Sequence, residues 1–242
     1  MPNPQKSKGN RLENEVSDWL TYWATGLSSG SAGYSKWFSR GSDSGGLATK
    51  HMKKIAYMGF STTDPLEQQR LISDLRNRDD ICVGDIYPTN LDSKAFLEIF
   101  SIECKNYENI EWHKIIQKPG TGGSNTSFFK FWEKHVNQCN IYGKIPILVY
   151  RETRARTMFP TAFVPHDLIK HMPNREETEA FRLGTLDIYG MEIYRLNDLF
   201  RFHTFEEIVE AQSLRKYAAK ANFKSKVNPA KKLESLQEQK GA

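Results

Sequence analysis

A chain of 242 residues, 12% of them aromatic, is long enough to bury one large core, and its net charge of +5 is modest. No apolar run reaches the length of a bilayer span and the opening MPNPQKSKGN has no signal-peptide core, so a soluble, cytoplasmic protein without a membrane partner is expected. Three scattered cysteines with no Cys-x-x-Cys, and six histidines with no close ligand pair, argue against a disulfide framework and against zinc.

In chain order, Leu12, Val16, Trp19, Leu20 and Trp23 recur at helical spacing and predict a first helix over 10–23, ended by the Gly/Ser-rich stretch 26–33. A short strand over 34–38 follows. Then comes the hydroxyl- and glycine-rich loop Ser39-Arg40-Gly41-Ser42-Asp43-Ser44-Gly45-Gly46, and a basic cluster of Lys50, His51, Lys53 and Lys54. Residues 65–76 have helical composition, 81–87 a strand pattern containing Gly84-Asp85, and 88–94 a turn. The apolar run from Ala95 to Ile102 reads as a strand that continues into Glu103-Cys104-Lys105. A flexible loop over 119–125, a helix over 127–142 capped by Gly143, and an apolar strand over 145–150 complete this part. Beyond it, 161–164 and 191–194 are strand candidates, and 204–221 is helical, with Thr204 and Glu207 spaced as a capping box.

Charge is unevenly spread. From Arg215 onward eight Lys or Arg face two Glu, a balance of +6, so everything before it sums to −1. This stretch reads as a frayed helix running into a disordered basic arm, which either holds a polyanion without sequence preference or serves only as a solubilising tail.

The chemistry concentrates at Glu103 and Lys105. Two residues apart on a strand, they share a face, while Ile102 and Cys104 point to the opposite one. Exposed Glu-x-Lys pairs are common and worth about 0–1 kcal/mol, but an apolar strand is a poor host for idle charge. If Asp85 reaches the same point, Asp85 and Glu103 supply two hard oxygen ligands, the Cys104 carbonyl a third, and Lys105 a cation beside them. Hydrolysis of a phosphodiester with Mg²⁺, or Mn²⁺ in its place, needs that set. Were the two segments an antiparallel hairpin, Asp85 would face Glu103 only with the connection centred near Lys94, a few residues beyond the obvious turn, so an offset by a bulge or irregular loop is required.

Asp85, then Glu103-Cys104-Lys105, then a helix and an apolar strand resemble the PD-(D/E)XK nuclease superfamily, and Lys8-Gly9-Asn10-Arg11-Leu12-Glu13 is similar to the Lys-Gly-x-x-x-Glu opening of archaeal Holliday junction resolvases and related phage nucleases. The resemblance covers roughly residues 8–150 and implies an α/β fold with a restriction-endonuclease-like core, an αβββαβ mixed sheet flanked by helices, followed by a C-terminal helical extension. It implies that Glu13 joins the metal site directly or through water, and that Ser42 or Ser39 contacts the scissile phosphate. It also implies that Gln138, which with Tyr142 fits a Gln-x-x-x-Tyr pattern, faces the active site. Two departures are evident: Gly84 stands where the superfamily's name has proline, and 47–80 is an insertion.

The expected organisation is a nuclease core over 1–151 carrying that insertion, an extension over 152–214 packed on it, and the basic arm over 215–242. The expected activity is Mg²⁺-dependent endonucleolytic cleavage of duplex or branched DNA inside a bacterial or phage-infected cell, with Holliday junctions as one substrate and a homodimer suited to symmetric cutting. The alternatives are a restriction-like or exonucleolytic DNase and a nucleic-acid-binding protein that uses the fold without cutting.

Overall fold

The computed structural model describes residues 4–41, 83–107, 127–152, 160–220 and 222–223. The predicted insertion 47–80 with its helix, the basic cluster at Lys50–Lys54, Ser42, Cys82, the loop 119–125 and the arm beyond Phe223 lie outside the described residues.

The first helix, α1 (Pro4–Thr25), is longer than its apolar stripe and buries Leu12, Val16 and Leu20. Ser17 and Thr21, polar and fully buried on the same helix, donate their hydroxyls to the carbonyls of Glu13 and Ser17, which removes the cost of burying them. Strand β1 (Phe38–Arg40) pairs antiparallel with β2 (Ile86–Pro88) as a separate two-stranded sheet.

The apolar run from Ala95 to Ile102 is not one strand. Its first half belongs to helix α2 (Leu91–Ile99) and only its second half to strand β3 (Phe100–Tyr107). The helix starts because Asn90 and Ser93 form a capping box, Asn90 Oδ1 accepting from the Ser93 N–H at 2.8 Å. Phe96, Leu97 and Ile99 then bury one helical face, and the backbone turns extended at Phe100. A continuous apolar string concealed this change of period. The observed order is therefore α, β, β, α, β, α, β, with a helix inserted into the expected αβββαβ series.

Helix α3 (Ser127–Tyr142) and strand β4 (Ile145–Glu152) follow as expected, separated by Gly143 at φ +65. β3 and β4 run parallel, with Glu103 opposite Leu148 and Lys105 opposite Tyr150. His135 of α3 donates its Nε2–H to the Ser101 carbonyl at 3.0 Å, tying the helix to β3. Burial holds this imidazole at about 4, so it is neutral at physiological pH and available for that bond.

The last third of the chain does more than pack against the core. Strands β5 (Thr161–Pro165), β6 (Gly184–Leu186) and β7 (Met191–Arg195) extend the same sheet to five strands in the order β3-β4-β5-β7-β6, antiparallel beyond β4. The fold is thus α/β, a mixed sheet flanked by helices. Helices α4 (Arg175–Glu179), α5 (Leu196–Phe200), α6 (Phe205–Glu210) and α7 (Gln212–Lys220) complete it.

The predicted helix over 204–221 is divided at Ala211, whose ψ of 99 leaves helical geometry, while the Thr204–Glu207 capping box is present. Arg215–Lys220, read as the start of the basic arm, lie in α7. That helix is docked by buried Leu214 and Ala218, and the chain stays anchored as far as Phe223, whose N–H donates to Asn140 Oδ1 at 2.9 Å. Phe200 and Phe205 join Trp23, Phe38, Phe96 and Phe100 in one aromatic cluster that binds α1, α2 and β3 to the C-terminal helices, with Trp23 and Phe200 ring centres 4.9 Å apart. Among the described residues no helix is long and apolar enough to cross a membrane.

Candidate active site

Asp85 reaches β3 by a route other than a hairpin. Because α2 connects β2 to β3, the index-sum condition does not apply, and the segment before β2 is laid directly against β3. Asp85 donates its N–H to the Ile102 carbonyl at 2.7 Å, and Ser101 Oγ donates to the Val83 carbonyl at 2.8 Å. Between them Gly84 takes φ +98, where a Cβ would stand 2.5 Å from the Ile102 oxygen. Glycine is required twice over here, by backbone conformation and by space, and proline, locked near φ −65°, is excluded. The departure from the superfamily's namesake residue has this physical cause.

The crossing brings the predicted residues together. Asp85 Oδ2 accepts from the Cys104 N–H at 2.8 Å. Lys105 Nζ lies 3.4 Å from Asp85 Oδ2, 2.6 Å from Glu103 Oε1 and 3.0 Å from the Cys104 carbonyl oxygen. The three oxygens expected to be ligands thus surround one cationic nitrogen. Glu13, on α1, is 6% exposed, and its Oε2 has no hydrogen-bond partner among the described residues. Arg40 Nη1, at the end of β1, is 3.8 Å from that oxygen, too long for a hydrogen bond.

Three buried carboxyls with two nearby cations strain ordinary ionisation. Burial, then the charge of Asp85, raises Glu13 to about 7, with Arg40 and Lys105 pulling the other way. Burial and the neighbouring Glu103 raise Asp85 as well, against the Lys105 charge and the Cys104 N–H. Burial works against the charge on Lys105, but Glu103 and Asp85 together hold it as an ammonium, above its usual range. The Cys104 thiol, fully buried, stays protonated.

Other expected residues fall differently. Gln138 is buried on α3, one turn beyond His135; among the described residues its Nε2 has no partner and no hydrogen bond joins it to the acidic groups. Ser39 sits on β1 opposite Tyr87. Since neighbours on a strand face opposite ways, Arg40 facing Glu13 turns Ser39 away from it. Arg40 itself went unremarked in the sequence because its surroundings read as loop. Its signal was position alone, opposite Ile86, the residue after Asp85, in a two-stranded register.

The donor set fits a hard divalent cation. It offers carboxylate and carbonyl oxygens, and one or two carboxylates are what Mg²⁺ takes from a protein, with water and phosphate completing its shell. Among the described residues no group of three or more His, Cys, Asp or Glu side chains gathers as a metal cage.

The model of a family described as "Phage putative PDDEXK endonuclease" matches residues 4–210. No curated protein and no solved structure matches the chain. The matched span runs from α1 to the end of α6 and takes in the acidic cluster, the five-stranded sheet and the helices around it. The chain therefore belongs to the phage PDDEXK endonuclease family.

Proposed function

We propose that the protein is a Mg²⁺-dependent DNA endonuclease whose site consists of Asp85, Glu103, the Cys104 carbonyl, Lys105 and Glu13, with Mn²⁺ as an alternative ion. The observation that carries this reading is the convergence of three hard oxygens on Lys105 Nζ, at 2.6, 3.0 and 3.4 Å, in a buried setting. Asp85 and Glu103 would hold the ion, which when bound supplies polarisation of the phosphate and acidification of a water.

The chain's own groups define the rest. Asp85 is oriented by the Cys104 N–H and by its own backbone bond to Ile102, so its free oxygen is held in one direction. Lys105 presents a permanent positive charge where negative charge develops on a phosphodiester. Glu13, balanced near neutrality, can keep or release a proton beside the other acids.

Duplex and branched DNA are both candidate substrates. Incubation with duplex, flap, four-way-junction and single-stranded DNA, with Mg²⁺, with Mn²⁺ and with EDTA, tests the reading. Metal-dependent internal cuts in at least one DNA are expected, while binding without cleavage under every metal would overturn it in favour of a DNA-binding protein. End-first degradation would convert it to an exonuclease.

A further inference from the structure

The cations along the site are unequally engaged. Lys105 contacts Glu103, Asp85 and the Cys104 carbonyl. Arg151, which lies opposite Asn106 in the β3–β4 register, is paired with Glu15, and Arg11 holds the same carboxylate at 3.0 Å. Arg40 differs from all of these. Its side chain is 33% exposed, and among the described residues it meets only Glu13, at 3.8 Å, with no acceptor within hydrogen-bond distance.

Its backbone is nonetheless firmly placed. Arg40 lies opposite Ile86, the residue after Asp85, and the next N–H, that of Gly41, donates to the Asp85 carbonyl at 3.0 Å. Gly41 in turn is pressed against the Tyr87 ring so closely that a Cβ would overlap it. A guanidinium with open donors among the described residues is thus fixed beside the segment that carries a proposed metal ligand, with one edge toward solvent. A planar fork of N–H groups at that place matches two oxygens of a phosphate, a geometry lysine cannot reproduce.

We infer that Arg40 is a phosphate-binding residue, receiving the non-bridging oxygens of the phosphodiester to be cut while Lys105 remains with the acidic groups. The inference rests on the nuclease reading above.

The test is a cycle between the side chain and the phosphate. Once the cut position in a cleaved DNA is mapped, that phosphate is replaced by an uncharged methylphosphonate. Binding is then measured by fluorescence anisotropy in an Asp85→Asn background, so that no substrate is consumed. With Arg40 present, neutralising the phosphate weakens binding roughly tenfold; with Arg40→Ala, intact DNA binds roughly tenfold more weakly and the methylphosphonate adds no further loss. Arg40→Lys restores part of the affinity in that background but, with Asp85 intact, leaves kcat depressed, because the charge returns without the fork. Equal losses on neutralisation with and without Arg40 would overturn this role and leave the nuclease reading intact. Absence of cleavage by the unmodified protein under every divalent metal would remove both. Thermal melting of each variant separates loss of contact from loss of fold.

Discussion

Lys105 Nζ stands 2.6 Å from Glu103 Oε1, and the same nitrogen reaches the other two oxygens assigned to a metal. An ammonium and a divalent ion cannot both hold those oxygens directly. Lys105→Met therefore removes a competitor as well as a cation. Mn²⁺ affinity by titration calorimetry is expected to rise about tenfold, some 1.4 kcal/mol, while cleavage falls by two orders of magnitude or more. Weaker metal binding in the variant would contradict the shared-oxygen geometry.

Asp85→Asn and Glu103→Gln separate chemistry from recognition. Each removes a charged ligand while preserving shape and the bond from the Cys104 N–H. Cleavage should be abolished, with DNA affinity within a small factor of the original. Joint loss of both would argue that the acidic pair organises the fold rather than the reaction.

At Gly84 the backbone sits at φ +98 and a methyl group would press 2.5 Å from the Ile102 oxygen. Gly84→Ala should cost roughly 2–3 kcal/mol and loosen the approach of Asp85 to β3. Proline there should cost more, since it cannot adopt this φ at all. An unchanged melting temperature in Gly84→Ala would show that the crossing relaxes without it.

Glu13 has a pH signature of known sign. Its folded value, about 7, lies above the ordinary 4.5, so the folded state retains a proton that the unfolded chain loses. Stability contributed by this group therefore declines as pH rises from about 4.5 to 7 and is level above that, a penalty of roughly 3 kcal/mol at most. Glu13→Gln should leave stability near pH 4 little changed and raise it near pH 8, as denaturant titrations at the two pH values will show. If cleavage needs the carboxylate, the log of its rate climbs through pH 7 in the wild type and loses that inflection in the variant.

The anchoring of α7 and Phe223 removes 215–220 and Phe223 from the segment expected to be a basic arm. Residues 224–242 carry five Lys and two Glu. Truncation after Phe223 should leave melting unchanged, weaken DNA binding at low salt and reduce the slope of log K against log salt by roughly 2–4. An unaltered slope would make the segment a solubilising tail.

How far these features were legible depends on their range along the chain. Glu103 and Lys105 declare themselves because two-residue alternation is a local rule, and Thr204–Glu207 because a cap spans three residues. The union of Asp85 with β3 was legible in its residue types but not in its route. It depends on α2, hidden inside an apolar run, and on a left-handed glycine, which a sequence does not distinguish from a flexible one. β5 and β7 were visible as strands, yet their places in the sheet rest on pairings such as Phe163 with Ile193, thirty residues apart, which no local pattern encodes. Arg40 needed the register with Ile86 before it meant anything.

That sheet has a consequence for anyone wishing to move the chemistry elsewhere. Every acid assigned to the site lies upstream of residue 106, but β4 finds its second neighbour only in β5, and the aromatic cluster closes only with Phe200 and Phe205. A fragment ending at β4 would keep all the residues proposed for the site and yet offer an unpaired apolar edge ready to recruit strands from other molecules. The motif is therefore not portable as a unit: the residues proposed for the site are written early in the chain and the pairing that closes the sheet around them late.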